Sequence, residues 1–149
     1  MPSFGRKSTA KLATTNERIQ LFCRDVIPFY DFTVIWGLRG KDAQNHCYEI
    51  GTSSKEWPDS KHNVEDPENP GFEDPDGVSL ALDFAPWFAD RPHIRWNHER
   101  EFVHLAGHLM QAAAARGIRT RWGGDWDRDH DLYDVNKPFD LGHIEVLDV

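Results

Sequence analysis

Two histidines and an aspartate that lie far apart in the chain constrain most strongly how it can fold. His62 lies in a loop bounded by prolines, Asp83 in a β-rich segment, and His143 in the last apolar segment. Two imidazoles and one carboxylate form the three-ligand shell of a catalytic zinc, whose fourth position is left to water. Ligands this widely separated predict a site that the fold assembles, not a local metal finger.

Each of these residues also has an ordinary alternative role. A single histidine is more often a surface or core residue than a metal ligand, and a single aspartate is usually solvated. The prediction of a metal site therefore depends on the joint pattern. Asp140 lies shortly before His143, in a bend marked by Pro138 and Gly142. This position allows its carboxylate to act as a base on water activated by the metal.

The composition limits the class of protein. With 149 residues and 39% hydrophobic residues, we expect one domain spanning 1–149, with its own core, and a monomer. The formal charge of −8 argues against a nucleic-acid partner, because phosphate binding needs a basic face. No apolar run approaches the roughly 20 residues that span a bilayer, and the basic N-terminus lacks the apolar centre of a secretory signal. Cys23 and Cys47 are too few for a disulfide framework.

Apolar periodicity and turn residues predict an α+β fold, a small antiparallel sheet with packed helices. A capping box from Thr14 to Glu17 begins the first helix, and Pro28 ends it. Gly117 is the expected C-cap of the longest helix, whose buried stripe includes Trp96. We predict helices over 14–27, 42–50 and 93–116, strands over 32–36, 78–84, 118–122 and 142–147, loops over 52–78 and 123–140, and a disordered segment over 1–13.

Alternation along the last strand predicts which side chains share a face. His143 and Glu145 lie on one face, and Ile144 and Val146 pack into the core on the other. Glu145 is therefore a candidate for contact with the metal or its ligands, with a solvent-facing charge as the alternative. Ser60 could hold the His62 loop or a ligand in place, and its alternative is ordinary turn chemistry.

These residues together resemble the zinc D,D-carboxypeptidase and L-alanyl-D-glutamate endopeptidase family, in its phage endolysin branch. The strand that ends at Trp36, with Arg39 and Gln44 after it, also resembles the family pattern, so the resemblance covers most of the chain. The motifs that carry it are Ser60-Lys61-His62, Ala81-Leu82-Asp83, Trp122-Gly123-Gly124-Asp125-Trp126 and Asp140-Leu141-Gly142-His143-Ile144-Glu145.

The resemblance implies a Hedgehog/D,D-peptidase-like zinc peptidase fold and assigns roles. His62, Asp83 and His143 would hold one Zn²⁺, Asp140 would be the catalytic base, and Arg39 would stabilise the oxyanion. The remaining residues expected at the substrate or around the ligands are Ser60, Gln44, Trp122, Asp125, Trp126 and Glu145. One departure is an insertion over about 63–77, since the family places its aspartate closer to its first histidine.

Two other sets of residues are rival metal sites. His104 and His108 share a helix face with Glu101, but Leu105 stands where a metalloprotease would have its glutamate. Asp125, Asp127, Asp129 and Asp131 alternate as in a calcium-binding loop, yet the central glycine and closing glutamate of an EF-hand are missing. A bound Ca²⁺ and an acidic solvated loop are both open readings.

The resemblance implies an endolysin that cuts peptidoglycan stem peptides between L-alanine and D-glutamate. Such an enzyme would be made in the host cytoplasm without a signal peptide, would reach the cell wall through a holin-type pore, and would not insert into the membrane. The alternatives are a D-Ala-D-Ala carboxypeptidase with the same site and a non-catalytic, zinc-containing wall-binding domain.

Overall fold

The computed structural model describes residues 1–132 and 139–148. In this part of the chain the elements are α1 (Arg6–Leu12), α2 (Glu17–Val26), β1 (Phe32–Trp36), α3 (Lys41–Glu49), β2 (Ala81–Pro86), α4 (Glu99–Ala115), β3 (Thr120–Gly123) and β4 (Asp140–Val146). The strands form one antiparallel sheet in the order β1-β2-β4-β3, which confirms the predicted α+β class.

The two faces of the sheet have different chemistry because side chains alternate along each strand. Leu82 on β2 and Ile144 on β4 are paired neighbours and point to the face covered by α2 and α4. Asp83 and His143 are the next pair along and point to the opposite face. One face therefore holds the core, and the other is free to carry polar residues.

Helix α4 supplies the longest apolar stripe of the core. Its buried residues recur at helical spacing and are Phe102, Leu105, Ala106, Leu109 and Ala113. Gly117 follows with φ +72°, and the N–H of Ile118 donates to the carbonyl of Ala113, as expected for a glycine-terminated helix. The prediction that Trp96 belongs to this stripe is wrong. Trp96 precedes α4 and is 62% exposed, because residues 93–98 form turns and not the first turns of the helix.

The N-terminal segment is ordered, so the predicted disorder of residues 1–13 is wrong. Helix α1 buries Ser8 and Leu12, and it lies along the outer edge of β1. The hydroxyl of Ser8 accepts a hydrogen bond from the N–H of Val34 at 3.1 Å. The helix thereby covers a strand edge that would otherwise expose unpaired N–H groups, a tertiary contact that the polar sequence did not reveal.

The N-cap of α2 also differs from the prediction. Asn16, not Thr14, accepts a hydrogen bond from the N–H of Arg18, and the Thr14 hydroxyl donates to the carbonyl of Lys11. Thr14 is therefore part of the preceding turn. The predicted loop 123–140 includes residues 133–138, with Pro138 of the predicted bend, which lie outside the described residues. No helix within the described ranges is long and apolar enough to cross a bilayer.

The segment over about 63–77, predicted to be an insertion, folds back on itself beside α3. Glu65 and Glu73 form an isolated antiparallel bridge. The Glu73 carboxylate accepts a hydrogen bond from the N–H of Lys41, in the first turn of α3. An acidic side chain at a helix N-terminus satisfies a free donor and interacts favourably with the helix dipole. This segment is thus fixed to the helix that follows Arg39.

Candidate metal centre

Three potential ligand atoms from three segments converge on the polar face of the sheet. The His143 Nδ1 atom lies 3.0 Å from the Asp83 Oδ1 atom and 3.3 Å from the His62 Nε2 atom. The His62 Nε2 atom lies 3.1 Å from the same Asp83 oxygen. The structure therefore brings together the three residues that the sequence singled out as metal ligands.

The sheet register positions two of the three side chains. Asp83 on β2 and His143 on β4 are directly opposite each other, so their side chains leave the sheet side by side. The register between β1 and β2 shifts between Val34 and Trp36, and such bulges commonly re-aim side chains near functional sites. The geometry of this pair follows from strand pairing and not from any local motif.

His62 is held by its loop. Its Nδ1–H donates to the carbonyl of Gly37 at 2.8 Å, which fixes the orientation of the ring and points Nε2 toward Asp83. Its backbone N–H donates to the hydroxyl of Ser60 at 3.2 Å, and its carbonyl accepts from the N–H of Arg39. Ser60 therefore holds the loop, one of the two roles expected for it.

The dimensions of the triangle fit a zinc ion. Atoms bound at about 2.0–2.1 Å in a tetrahedral shell lie about 3.3 Å from one another. The three observed separations are 3.0, 3.1 and 3.3 Å. A set of two imidazole nitrogens and one carboxylate oxygen matches the donors that zinc takes in hydrolytic sites. These residues could hold such an ion without rearrangement of the backbone.

The charges of the cluster stabilise an ionised carboxylate within the protein. Burial alone would raise the pKa of Asp83, but hydrogen bonds from His143 and His62 hold that pKa well below its usual range. Burial likewise would lower the pKa of His143, yet the hydrogen bond with Asp83 and nearby carboxylates raise it. The carboxylate therefore stays ionised, as a metal ligand must.

Arg39 and Gln44 lie behind Asp83. Arg39 is 6% exposed, and its terminal nitrogens donate to Asp83 Oδ2 and Gln44 Oε1, both at 3.1 Å. The buried Gln44 amide donates in turn to the Ser53 hydroxyl and the carbonyl of Lys55. These contacts orient the Asp83 carboxylate, as hydrogen-bonded partners of metal ligands do.

Asp140 begins β4 and pairs with Gly123 of β3. Desolvation by the surrounding protein and the negative charge of Asp83 raise the pKa of the Asp140 carboxyl, while His143 and His62 oppose that rise. The residue is nevertheless solvent-exposed. An exposed carboxyl that feels the charges of all three candidate ligands and holds a proton more readily than usual suits general acid–base chemistry.

The two tryptophans of the Trp-Gly-Gly-Asp-Trp segment have different positions. The ring of Trp126 lies 5.4 Å from the ring of His143, close to the candidate ligands. Trp122 is 3% exposed within the core, and its indole N–H donates to the carbonyl of Leu141. Trp122 was expected at the substrate or around the ligands, but alternation along β3 turns it to the core face.

The rival sites have weaker support. Carboxylate oxygens of Asp125, Asp127 and Asp129 lie within 4.8 Å of one another, and Asp125 also accepts backbone N–H groups of its own loop. Acidic side chains gather in this way in solvated turns without an ion. The Ca²⁺ that was one interpretation of this loop therefore has no support beyond the grouping of carboxylates. The Nε2 atoms of His104 and His108 lie 3.3 Å apart, and both rings pack against Tyr30.

Two residues that hold the centre were not identified from the sequence. The Asn63 amide donates to the carbonyl of Arg39 and to the Gln44 side chain. Gly37 supplies the carbonyl that fixes His62, and a Cβ there would lie 2.4 Å from the carbonyl oxygen of Lys11. For Asn63, the available sequence signal was its position directly after His62. Nothing in the sequence indicated the close approach at Gly37.

Comparisons with known proteins show which family and which fold this chain resembles. The family model described as phage L-alanyl-D-glutamate peptidase matches residues 2–147. The L-alanyl-D-glutamate peptidase of Escherichia phage T5 is 32% identical over 151 positions, covering 97% of this chain and 97% of that protein. The crystal structure of the Serratia marcescens L-Ala D-Glu endopeptidase ChiX has the same fold, with a TM-score of 0.69 and 19% identity over 98% of this chain and 91% of that chain.

Proposed function

The chain belongs to the phage L-alanyl-D-glutamate peptidase family, and from that premise we propose that it is a zinc-dependent endolysin that cuts peptidoglycan stem peptides. The bond cut is the amide between L-alanine and D-glutamate. The observation that carries the proposal is the triangle of His62, Asp83 and His143, whose ligand atoms lie 3.0–3.3 Å apart. The triangle has the donors and dimensions of a catalytic zinc site.

The residues around the triangle divide the chemistry between them. A zinc ion held there supplies a Lewis acid and lowers the pKa of water toward about 7. Asp140 accepts the proton from the attacking water and returns it to the amine that leaves. Arg39 supplies a fixed positive charge beside Asp83. In the structure its terminal nitrogens donate to Asp83 and Gln44. To stabilise the oxyanion, one of these nitrogens must also face the substrate.

Further aspects of the proposal concern the setting of the reaction. The enzyme acts as a monomer with a single catalytic domain. It is made in the host cytoplasm and reaches the wall through a holin-type pore. The similarity to the phage peptidase family supports the wall as the place of action.

The test combines metal analysis with mass spectrometry of digested peptidoglycan. We expect about one zinc per chain, loss of hydrolysis after chelation, and recovery on adding zinc. The products should carry new alanine carboxyl and glutamate amino ends. Release of free D-alanine would instead indicate a D-Ala-D-Ala carboxypeptidase. Stoichiometric zinc with no hydrolysis of any wall would indicate a binding domain, and hydrolysis unaffected by chelation would contradict the metal mechanism.

A further inference from the structure

A second arginine lies on the polar face of the sheet, one strand away from the candidate metal centre. Arg121 on β3 is directly opposite Glu145 on β4, and Glu145 shares its face with His143. Arg121 and His143 are therefore diagonal neighbours, and such residues are typically about 7–8 Å apart, with their Cβ atoms somewhat closer. The length of an arginine side chain is enough to reach a substrate held beside the metal.

Glu145 holds this arginine from below. The Arg121 Nε atom donates to Glu145 Oε1 at 3.0 Å, and the side chains are 36% and 3% exposed, respectively. Among the residues that the structure describes, this contact uses Nε and leaves the two terminal nitrogens for a second partner. A guanidinium fixed in this way presents a planar fork that matches a carboxylate.

Burying the Glu145 carboxylate costs free energy, which indicates that its contact with Arg121 has a role other than stabilising the fold. Within the described part of the chain, Glu145 Oε2 is buried without a hydrogen-bond partner. A buried carboxylate with an unsatisfied oxygen is unfavourable, and an apolar residue at such a position is often at least as stable.

The accessibility of Arg121 differs from that of Arg39. Arg39 is 6% exposed, and its terminal nitrogens are bonded to Gln44 and Asp83. Arg121 is the more accessible of these two cations.

The substrate in the proposed function carries a matching anion. Glutamate has two carboxyl groups, and the peptide continues through at most one of them. The residue that supplies the leaving amine therefore bears a free carboxylate close to the scissile nitrogen. Because the protein has a net charge of −8, an anionic substrate needs a local cation at its binding site.

We propose that Arg121 binds the free carboxylate of the substrate glutamate and that Glu145 positions the guanidinium for this contact. The inference rests on the proposed function and adds a determinant of specificity on the leaving-group side of the scissile bond. It predicts that the enzyme distinguishes glutamate from an amidated residue of the same shape.

The test compares the kcat/KM of the zinc-loaded enzyme for matched peptides. One pair of N-acetyl-L-alanyl-D-glutamyl-lysine peptides is linked through the γ-carboxyl of glutamate and one through the α-carboxyl. In each pair the remaining carboxyl is either free or converted to a carboxamide. For the linkage that is cut, we expect wild type to prefer the carboxylate by about 10–100-fold, the usual strength of a charged hydrogen bond.

Substitutions then assign this preference. Arg121→Gln should reduce it to below about threefold, and Arg121→Lys should leave an intermediate value, because lysine keeps the charge but loses the fork. Glu145→Gln should weaken the preference without removing it. The double variant Arg121→Gln, Glu145→Gln removes both charges and guards against unfolding caused by one unpaired buried charge. Arg119→Gln, an exposed arginine paired with Asp148, is the matched control and should keep the wild-type preference.

The outcomes separate the two proposals. If wild type cuts neither linkage, the proposed function fails. If wild type cuts the peptides but does not distinguish carboxylate from carboxamide, or if the folded Arg121→Gln and double variants keep the wild-type preference, the assignment of Arg121 is overturned while the peptidase function stands.

Discussion

A glycine carbonyl helps to orient His62. Its Nδ1–H bonds to Gly37 at 2.8 Å, so the ring presents Nε2 to Asp83. The same loop connects to Arg39 through the His62 carbonyl and the Asn63 amide. A change at one of these positions would therefore disturb both a candidate ligand and the arginine that orients Asp83.

Asp140→Asn tests the proton acceptor at the residue scale. Asparagine has nearly the same shape but cannot accept the proton from water, so kcat/KM on purified peptidoglycan should fall by about 10²–10⁴-fold. Zinc content should stay at the wild-type level, because Asp140 is not one of the three ligands. Asp90→Asn, an exposed change, is the control. Wild-type rates in folded Asp140→Asn protein would remove this carboxylate from the mechanism.

At the scale of elements, the contact between β3 and β4 places Asp140. The register shifts between Trp122 and Gly123, and a Cβ at Gly123 would lie 2.0 Å from the backbone oxygen of Asp140. Only glycine allows the two strands to approach this closely. The close approach at Gly123, within the Trp-Gly-Gly-Asp-Trp segment, therefore fixes the backbone position of the proposed base, Asp140.

Gly123→Ala should displace the backbone at Asp140 and lower kcat/KM by about 10²-fold, since a misplacement of about 1 Å can have that effect. The three candidate ligands lie at other positions, so we expect the metal content to change less than the rate. Gly107→Ala is the control, because a Cβ there meets nothing within 4 Å. Equal rates for the two variants would show that the close approach is not needed.

The ends of α2 and α4 are joined by an exposed ion pair. Arg116 donates to both carboxylate oxygens of Asp25, at 2.5 and 2.8 Å, and this hydrogen bonding lowers the pKa of Asp25. A carboxyl whose pKa is lower in the folded state adds stability above the unfolded pKa of about 3.9. That contribution disappears as the pH falls through the folded pKa.

Asp25→Asn should therefore lower the free energy of unfolding at pH 7 by a small amount, because solvent screens the exposed pair. The difference from wild type should shrink below the unfolded pKa of the carboxyl. Urea unfolding at pH 7 and at pH 3 measures both values, and Asp90→Asn serves as the comparison. A difference of the same size at both pH values would contradict the role of the ion pair.

At the scale of the whole molecule, one core on one face of the sheet supports a polar centre on the other. Leu109 lies on α4, fully buried where that helix packs against the sheet. Leu109→Ala should lower the free energy of unfolding by about 2–5 kcal/mol, because it leaves a cavity that neighbours fill only partly. Chemical denaturation measures the loss, and Ile50→Ala, at a 58% exposed position, should change stability far less. A loss below about 1 kcal/mol would mean that this part of the core repacks.

Much of the secondary structure could be predicted because it depends on local sequence signals, such as β-rich segments and capping glycines. Strand β1 coincides with the β-rich segment 32–36, and Gly117 ends α4 as expected. Helix α1 could not be predicted from periodicity, since it buries only Ser8 and Leu12 and depends on contact with β1. Trp96 was misplaced because an apolar residue in register with a helix need not belong to it.

The sequence by itself determined the identities of the candidate ligands, the α+β class and the family, because residue types and their order carry that information directly. Only the tertiary structure decided that His62, Asp83 and His143 meet within 3.3 Å, that Trp122 faces the core, and that Arg121 rests on Glu145. These facts depend on strand register and on close backbone approaches at glycines. Both are set by the packing of segments far apart in the chain, which no local pattern encodes.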